Sequence, residues 1–122
     1  MSMSELKNLE AVISSGAFFV FLNKVSVDDA LDMRDSEPFD SKWMSNFKRL
    51  EKVSISNEEK ELVNSVREKA FKLSFQVIGE SEISSCVSDD FELIAKDILL
   101  GNKDSWTITY LWSLYRKGIF PM

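Results

Sequence analysis

The chain contains no histidine. That removes the side chain that titrates near neutral pH and the commonest metal ligand. It also removes every Ser–His or Cys–His nucleophile pair. The single cysteine, Cys86, allows no internal disulfide, and one Cys without His builds no zinc site of the usual ligand set. Four glycines and two prolines in 122 residues are too few for a turn-rich β-sandwich, which needs such residues at each reversal. The glycines (16, 79, 101 and 118) are isolated, so no glycine-rich phosphate loop is present. The longest uncharged run, Ala11 to Asn23, is thirteen residues, short of the roughly 20 that cross a bilayer as a helix. With no signal-peptide or lipidation pattern and one unpaired Cys, the expected setting is the reducing cytoplasm. These absences point to a non-enzymatic chain that needs no cofactor and no metal and has no membrane partner.

What is present is segregated charge. The net charge is −5, and residues 28–40, DDALDMRDSEPFD, account for all of it: Asp28, Asp29, Asp32, Asp35, Glu37 and Asp40 stand against Arg34 alone. A second stretch, residues 80–97 (ESEISSCVSDDFELIAKD), sets six acids, beginning with Glu80 and Glu82, against Lys96. Compensating bases are spread over 41–75 and 101–122. Such anionic zones attract cationic partners and repel nucleic acid. The basic run Lys42, Lys48, Arg49, Lys52 is interleaved with or followed by Glu51, Glu58, Glu59 and Glu61, and no RNP, KH or helix-turn-helix signature accompanies it.

The acids at 28, 32 and 35 share one helical face. They read either as a docking patch for a basic protein or as a solvated acidic loop whose aspartates serve as caps. The stretch lacks the order and mid-loop glycine of a calcium loop. Asp89 and Asp90 read as acids at a helix start, where the dipole favours them, rather than as a catalytic pair. Cys86 is flanked by Glu80, Glu82, Asp89 and Asp90, which raise a thiol pKa, so it reads as inert.

Residues 1–122 are expected to form one domain, an all-α bundle of about five helices. Residues 4–25 start as an amphipathic helix, with Gly16 as the candidate break or kink. Val27 to Met33 form a short turn capped by Ser26, and 36–40 form a loop. Asp40 caps a helix over 41–53. Ser56 and Glu59 form a capping box for the clearest helix, 57–78, whose faces are Leu62, Val66, Leu73, Val77 and Phe71, Phe75, Ile78. Being apolar on two sides, its C-terminal half is expected at the centre of the bundle. Asp89 and Asp90 open a helix over 88–100 that Gly101 closes, and Asp104 or Ser105 caps a last helix over 105–117. The alternative is α+β, with a small sheet from 17–22 and 106–112, because AFFVFL and the alternation of Trp106, Ile108, Tyr110 and Trp112 suit strands.

The last third of the chain resembles C-terminal regions of bacterial immunity-like proteins. The likeness rests on Ser88 to Leu100, SDDFELIAKDILL, followed by a Trp-rich segment ending KGIFP. In size, acidity and lack of catalytic motifs the whole resembles small cytoplasmic immunity proteins of toxin systems, including contact-dependent inhibition. The resemblance implies a role more than an architecture: binding and occluding a cognate toxin, expected to be a basic nuclease. The acids at 28–40, then Glu80 and Glu82, are the expected contacts, with Trp106 and Trp112 as aromatic anchors. The alternative is an intracellular adaptor that binds a peptide or helix through the aromatic surface.

Overall fold

The structure, a computed structural model, describes residues 3–122. Among them every regular element is helical, as the all-α reading expects. The sheet alternative fails at both proposed strands.

Helix α1, Met3–Ile13, buries Leu6, Leu9 and Ile13. It stops well before residue 25. Ser14 Oγ donates to the Glu10 carbonyl 2.6 Å away, a local bond that competes with helix continuation, and the Ser-Ser-Gly sequence follows. Turns then lead to a 3₁₀ helix, Val20–Lys24. Phe19 and Leu22 go inward while Ala17 and Val20 stay exposed, so AFFVFL is neither strand nor continued α-helix.

Helix α2, Val27–Arg34, follows Ser26, whose side chain makes no capping bond. Helix α3, Phe39–Glu51, starts earlier than expected and has Pro38, not Asp40, at its N-cap position. The capping is done from outside, where Glu37 accepts from the Ser41 amide at 2.8 Å. Helix α4, Asn57–Ile78, opens with the expected capping box and ends at Gly79 in the left-handed conformation, φ 65°. Its buried line is Val63, Val66, Ala70 and Ser74. Leu62, Leu73 and Val77 are half-buried, and Phe75 is exposed.

The central element is α5, Ser81–Leu100, rather than the end of α4. It begins seven residues before the expected start because the Glu80 side chain accepts from the amides of Glu82 and Ile83. Asp89 and Asp90 therefore lie in mid-helix. Ser84 and Ser88 are buried, and Ser88 Oγ reaches the Arg67 carbonyl of α4 at 3.1 Å. These small side chains lie on the buried side of α5, where it packs against α4. Helix α5 packs against α1, α3, α4 and the C-terminal segment. Gly101, φ 75°, ends it as expected.

The last segment is helical but not uniformly α. Thr107–Trp112 is a π-helix that runs into α6, Ser113–Arg116. The Ser105 hydroxyl accepts from the Ile108 amide at 3.3 Å. Leu111 and Tyr115 are buried here, and Phe120 folds back inward. No helix among the described residues is long and apolar enough to cross a membrane.

Candidate functional site

Charge is handled differently in the two acidic segments. In 80–97 much of it is used internally. Asp90 is fully buried and accepts four bonds. Arg34 Nη1 and Nη2 donate to its two oxygens at 2.9 and 2.7 Å, Trp43 Nε1 at 2.8 Å and the Tyr115 hydroxyl at 2.7 Å. Arg34 Nη1 also donates to the Pro121 carbonyl at 3.0 Å. Its guanidinium lies between the Phe39 and Phe120 rings, 4.7 and 5.2 Å from their centroids. Burial alone would lower the Arg34 pKa, but the Asp90 charge and hydrogen bonds outweigh it and hold the pKa above its ordinary value. Burial, then the Asp90 carboxylate, pushes the Tyr115 phenol well above 10.0.

One heptad along, Asp97 repeats the device. It is buried and accepts from Arg49 at 2.9 and 2.7 Å, Asn102 at 2.9 Å and Ser105 at 2.9 Å. Burial alone would raise its pKa; the bonds from Arg49, Asn102 and Ser105 bring it below 3.8 instead. Arg67 pairs with Asp89 at 3.1 Å and Glu92 at 3.0 Å, and Lys96 with Glu92 at 2.8 Å. Glu80 is engaged as the α5 cap, and Glu82 is exposed.

In 28–40 the opposite holds. The base Arg34 is buried while Asp28, Asp29, Asp32, Asp35, Glu37 and Asp40 are all exposed. Helix α2 buries Ala30 and Arg34. At 100° per residue, Asp28, Asp32 and Asp35 then fall on one flank, and Asp29 and Met33 on the other. The helix forms a ridge with a depression on each side.

On the first flank, a groove of about 220 Å³ runs over Leu31, Phe39, Trp43 and Met44 and is edged by Asp35, Asp40 and Asp89. It adjoins a second hollow that shares Leu31, Asp35 and Cys86 and adds Ser81, Glu82 and Ser85. The two acidic stretches thus meet across Cys86. The Cys86 thiol pKa is raised, chiefly by burial and further by Asp90, Asp89 and Asp35, against the opposing pull of Arg34. This agrees with an inert cysteine. Burial also raises the Asp89 pKa, against the opposing pull of Arg67.

On the second flank, Met33 and Glu37 face Trp106, Tyr110 and Met122 across a smaller notch. Of the two expected aromatic anchors, Trp106 therefore joins the α2 ridge. Trp112 does not. It is half-buried against Phe18 and Phe91, with centroids 5.9 and 5.8 Å away, and lines a separate groove with Leu9, Val12, Ile98 and Ile108. Tyr110 belongs to the dense aromatic C-terminal segment and is exposed, whereas Met33 and Met122 carry no sequence signal, since the exposure of a methionine leaves no local pattern. Arg34 had one: it is the sole base among six acids.

Among the described residues no cluster of His, Cys, Asp or Glu is arranged to hold a metal ion. No curated protein matches the chain. A family model described as Immunity protein PIM1 matches residues 8–122. That match runs from α1 through the buried Arg34–Asp90 and Arg49–Asp97 pairs to the last residue, far beyond the C-terminal third on which the sequence resemblance rested, and by it the chain belongs to the Immunity protein PIM1 family.

Proposed function

We propose that this immunity protein acts without catalysis, in the cytoplasm, by binding a cognate toxin directly and occluding it one to one. The α2 ridge is the contact. Asp28, Asp32 and Asp35, with Asp40, Glu82 and Asp89 across the groove, face a basic surface such as the phosphate-binding cleft of a nuclease. Asp29 and Glu37 extend the anionic field to the other flank. The observation that carries this reading is the convergence of exposed carboxylates from two distant segments on one groove edge, while the one base that lines the groove, Arg34, is turned to the buried Asp90. A field of one sign, offered at a groove with an apolar floor, speeds encounter with an oppositely charged protein and disfavours nucleic acid itself.

The test uses the toxin encoded beside this gene, purified in an inactive form. Changing Asp28, Asp29, Asp32 and Asp35 together to Asn should slow association by about tenfold or more at low salt and flatten its salt dependence, since steered rates fall steeply with ionic strength. Because all four side chains are exposed, the variant should melt like the parent. An unchanged association rate and salt slope would remove the ridge from the interface.

A further inference from the structure

The notch on the second flank of α2 has a character the acidic flank lacks. Three large hydrophobic side chains that are unusually exposed, Met33 at 52 %, Met122 at 42 % and Tyr110 at 37 %, meet there around a space of about 160 Å³. A dry engineered cavity of about 150 Å³ admits benzene, so the space suits one large side chain. Its walls are fixed. The Trp106 and Tyr110 rings stack with centroids 5.2 Å apart and 11° between planes. Trp106 is braced edge-on by the buried Phe39 at 5.6 Å, and the Tyr110 hydroxyl donates to the Met122 carbonyl at 3.0 Å. Met33 supplies the adaptable side, as an unbranched thioether does at binding surfaces. A stacked, braced aromatic wall loses little freedom when a guest enters, which is what an anchor pocket requires.

We propose that this notch receives a single large apolar side chain of the toxin, one presented from a basic surface. The proposal rests on the reading of α2 as the toxin contact. Charge complementarity selects the occupant. Glu37 and Lys42 both stand on the rim, but Asp29, one helical turn before Met33, and the exposed Asp32 and Asp40 outnumber that lysine, so whatever seats here must bring its apolar group past an excess of carboxylates. A basic protein gains from that approach. A second copy of this chain would bring its own acidic ridge against the first and be repelled. The division of labour follows: the carboxylates set the rate of encounter, and the notch sets how long the complex lasts and which toxin is kept.

The experiment measures association and dissociation rates with the same inactive toxin for Met33→Gln, Met33→Leu and Met122→Gln. Both glutamine variants should raise Kd about tenfold or more, through faster dissociation, with the salt slope of association unchanged. Met33→Leu should stay within about threefold, since an apolar side chain of similar volume still lines the notch. Thermal melting should move little, because both methionines lie at the surface outside the buried core. Parental Kd values for both glutamine variants, beside a weakened α2 carboxamide variant, would overturn the notch and leave the acidic contact standing. If the unaltered chain fails to bind the toxin, the proposed function falls and the notch assignment with it. If sedimentation shows a dimer that Met33→Gln dissociates while toxin binding is unchanged, the occupant is a second copy and the proposal is wrong.

Discussion

Replacing Asp90 by Asn should remove a large part of the stability of this chain. The substitution keeps the shape of the side chain and changes only one oxygen to an amide NH₂. Each Asp90 oxygen accepts two bonds, one from Arg34 and Trp43, the other from Arg34 and Tyr115. Whichever way the amide turns, its NH₂ faces an Arg34 N–H, and Arg34, 8 % exposed, loses its counter-charge. Breaking a buried ion pair from one side costs about 3–5 kcal/mol, and stranded buried donors about 1–3 kcal/mol each. The two overlap, so about 4 kcal/mol is expected, out of a total of about 5–15 kcal/mol for a natural domain. Urea unfolding followed by far-UV circular dichroism measures it. The sign of a second change is diagnostic. Arg34→Met should destabilise the parent, yet partly rescue Asp90→Asn, because it removes the uncompensated charge. A loss below about 1 kcal/mol for Asp90→Asn, or no rescue, would show that Arg34 and Asp90 do not form the pair described.

Ser56→Ala should cost about 1 kcal/mol, the usual worth of an N-cap, read by the same urea titration. The Tyr115 phenol is held above 10.0 in the fold. The folded state therefore keeps its proton longer than the unfolded chain, and stability present below pH 10 should fall as pH rises beyond it. Tyr115→Phe should lose that alkaline slope while giving up about 1–2 kcal/mol for the missing bond to Asp90. The Asp97 carboxyl is held below 3.8, so the opposite sign applies: its contribution is complete above pH 3.8 and should disappear as pH falls below it. Asp97→Asn should flatten that acid limb and cost about 2 kcal/mol, less than Asp90→Asn because Arg49 is 38 % exposed and partly screened.

The sequence made legible those elements that carry local punctuation. The Ser56–Glu59 box and Gly79 bracket α4, and Gly101 marks the end of α5 to the residue, because caps and left-handed glycines act within one turn. It misled where a long-range interaction overrides local chemistry. The acids at 89 and 90 look like a helix start, but Asp90 is the centre of a network whose members lie 56, 47 and 25 residues away, and no window of sequence contains them. The start of α5 hid behind Glu80, a side chain rarely counted among caps. AFFVFL carries no periodic signal for a 3₁₀ turn. For the site, the exposure of the α2 carboxylates was readable from their density, and the partial exposure of Trp106 from its aromatic company. The separation of Trp112 from that surface was not, because six residues of π-helix change which face each side chain meets.

Charge counted along the chain and charge presented at the surface are different quantities here, and the buried pairs account for the difference. Residues 80–97 sum to as many negative charges as 28–40, yet Asp90 and Asp97 are neutralised inside by Arg34 and Arg49. The same pairing strips 28–40 of its one base. Helix α2 is eight residues long, and a helix that short is not stable alone in water. Asp28, Asp32 and Asp35 repel at helical spacing by a few tenths of a kcal/mol per pair, and Ser26 adds no side-chain cap. The acids of its first turn, Asp28 and Asp29, suit the helix dipole, but that is too little to keep so short a segment helical. What holds it is Ala30 in the core, Val27 and Leu31 packed against it, and Arg34 clamped on Asp90. The helix therefore presents its carboxylates as an ordered row only because its single cation is spent inward. That places the ordering cost of the array in folding rather than in binding, the condition under which a row of like charges favours rapid capture of a basic partner.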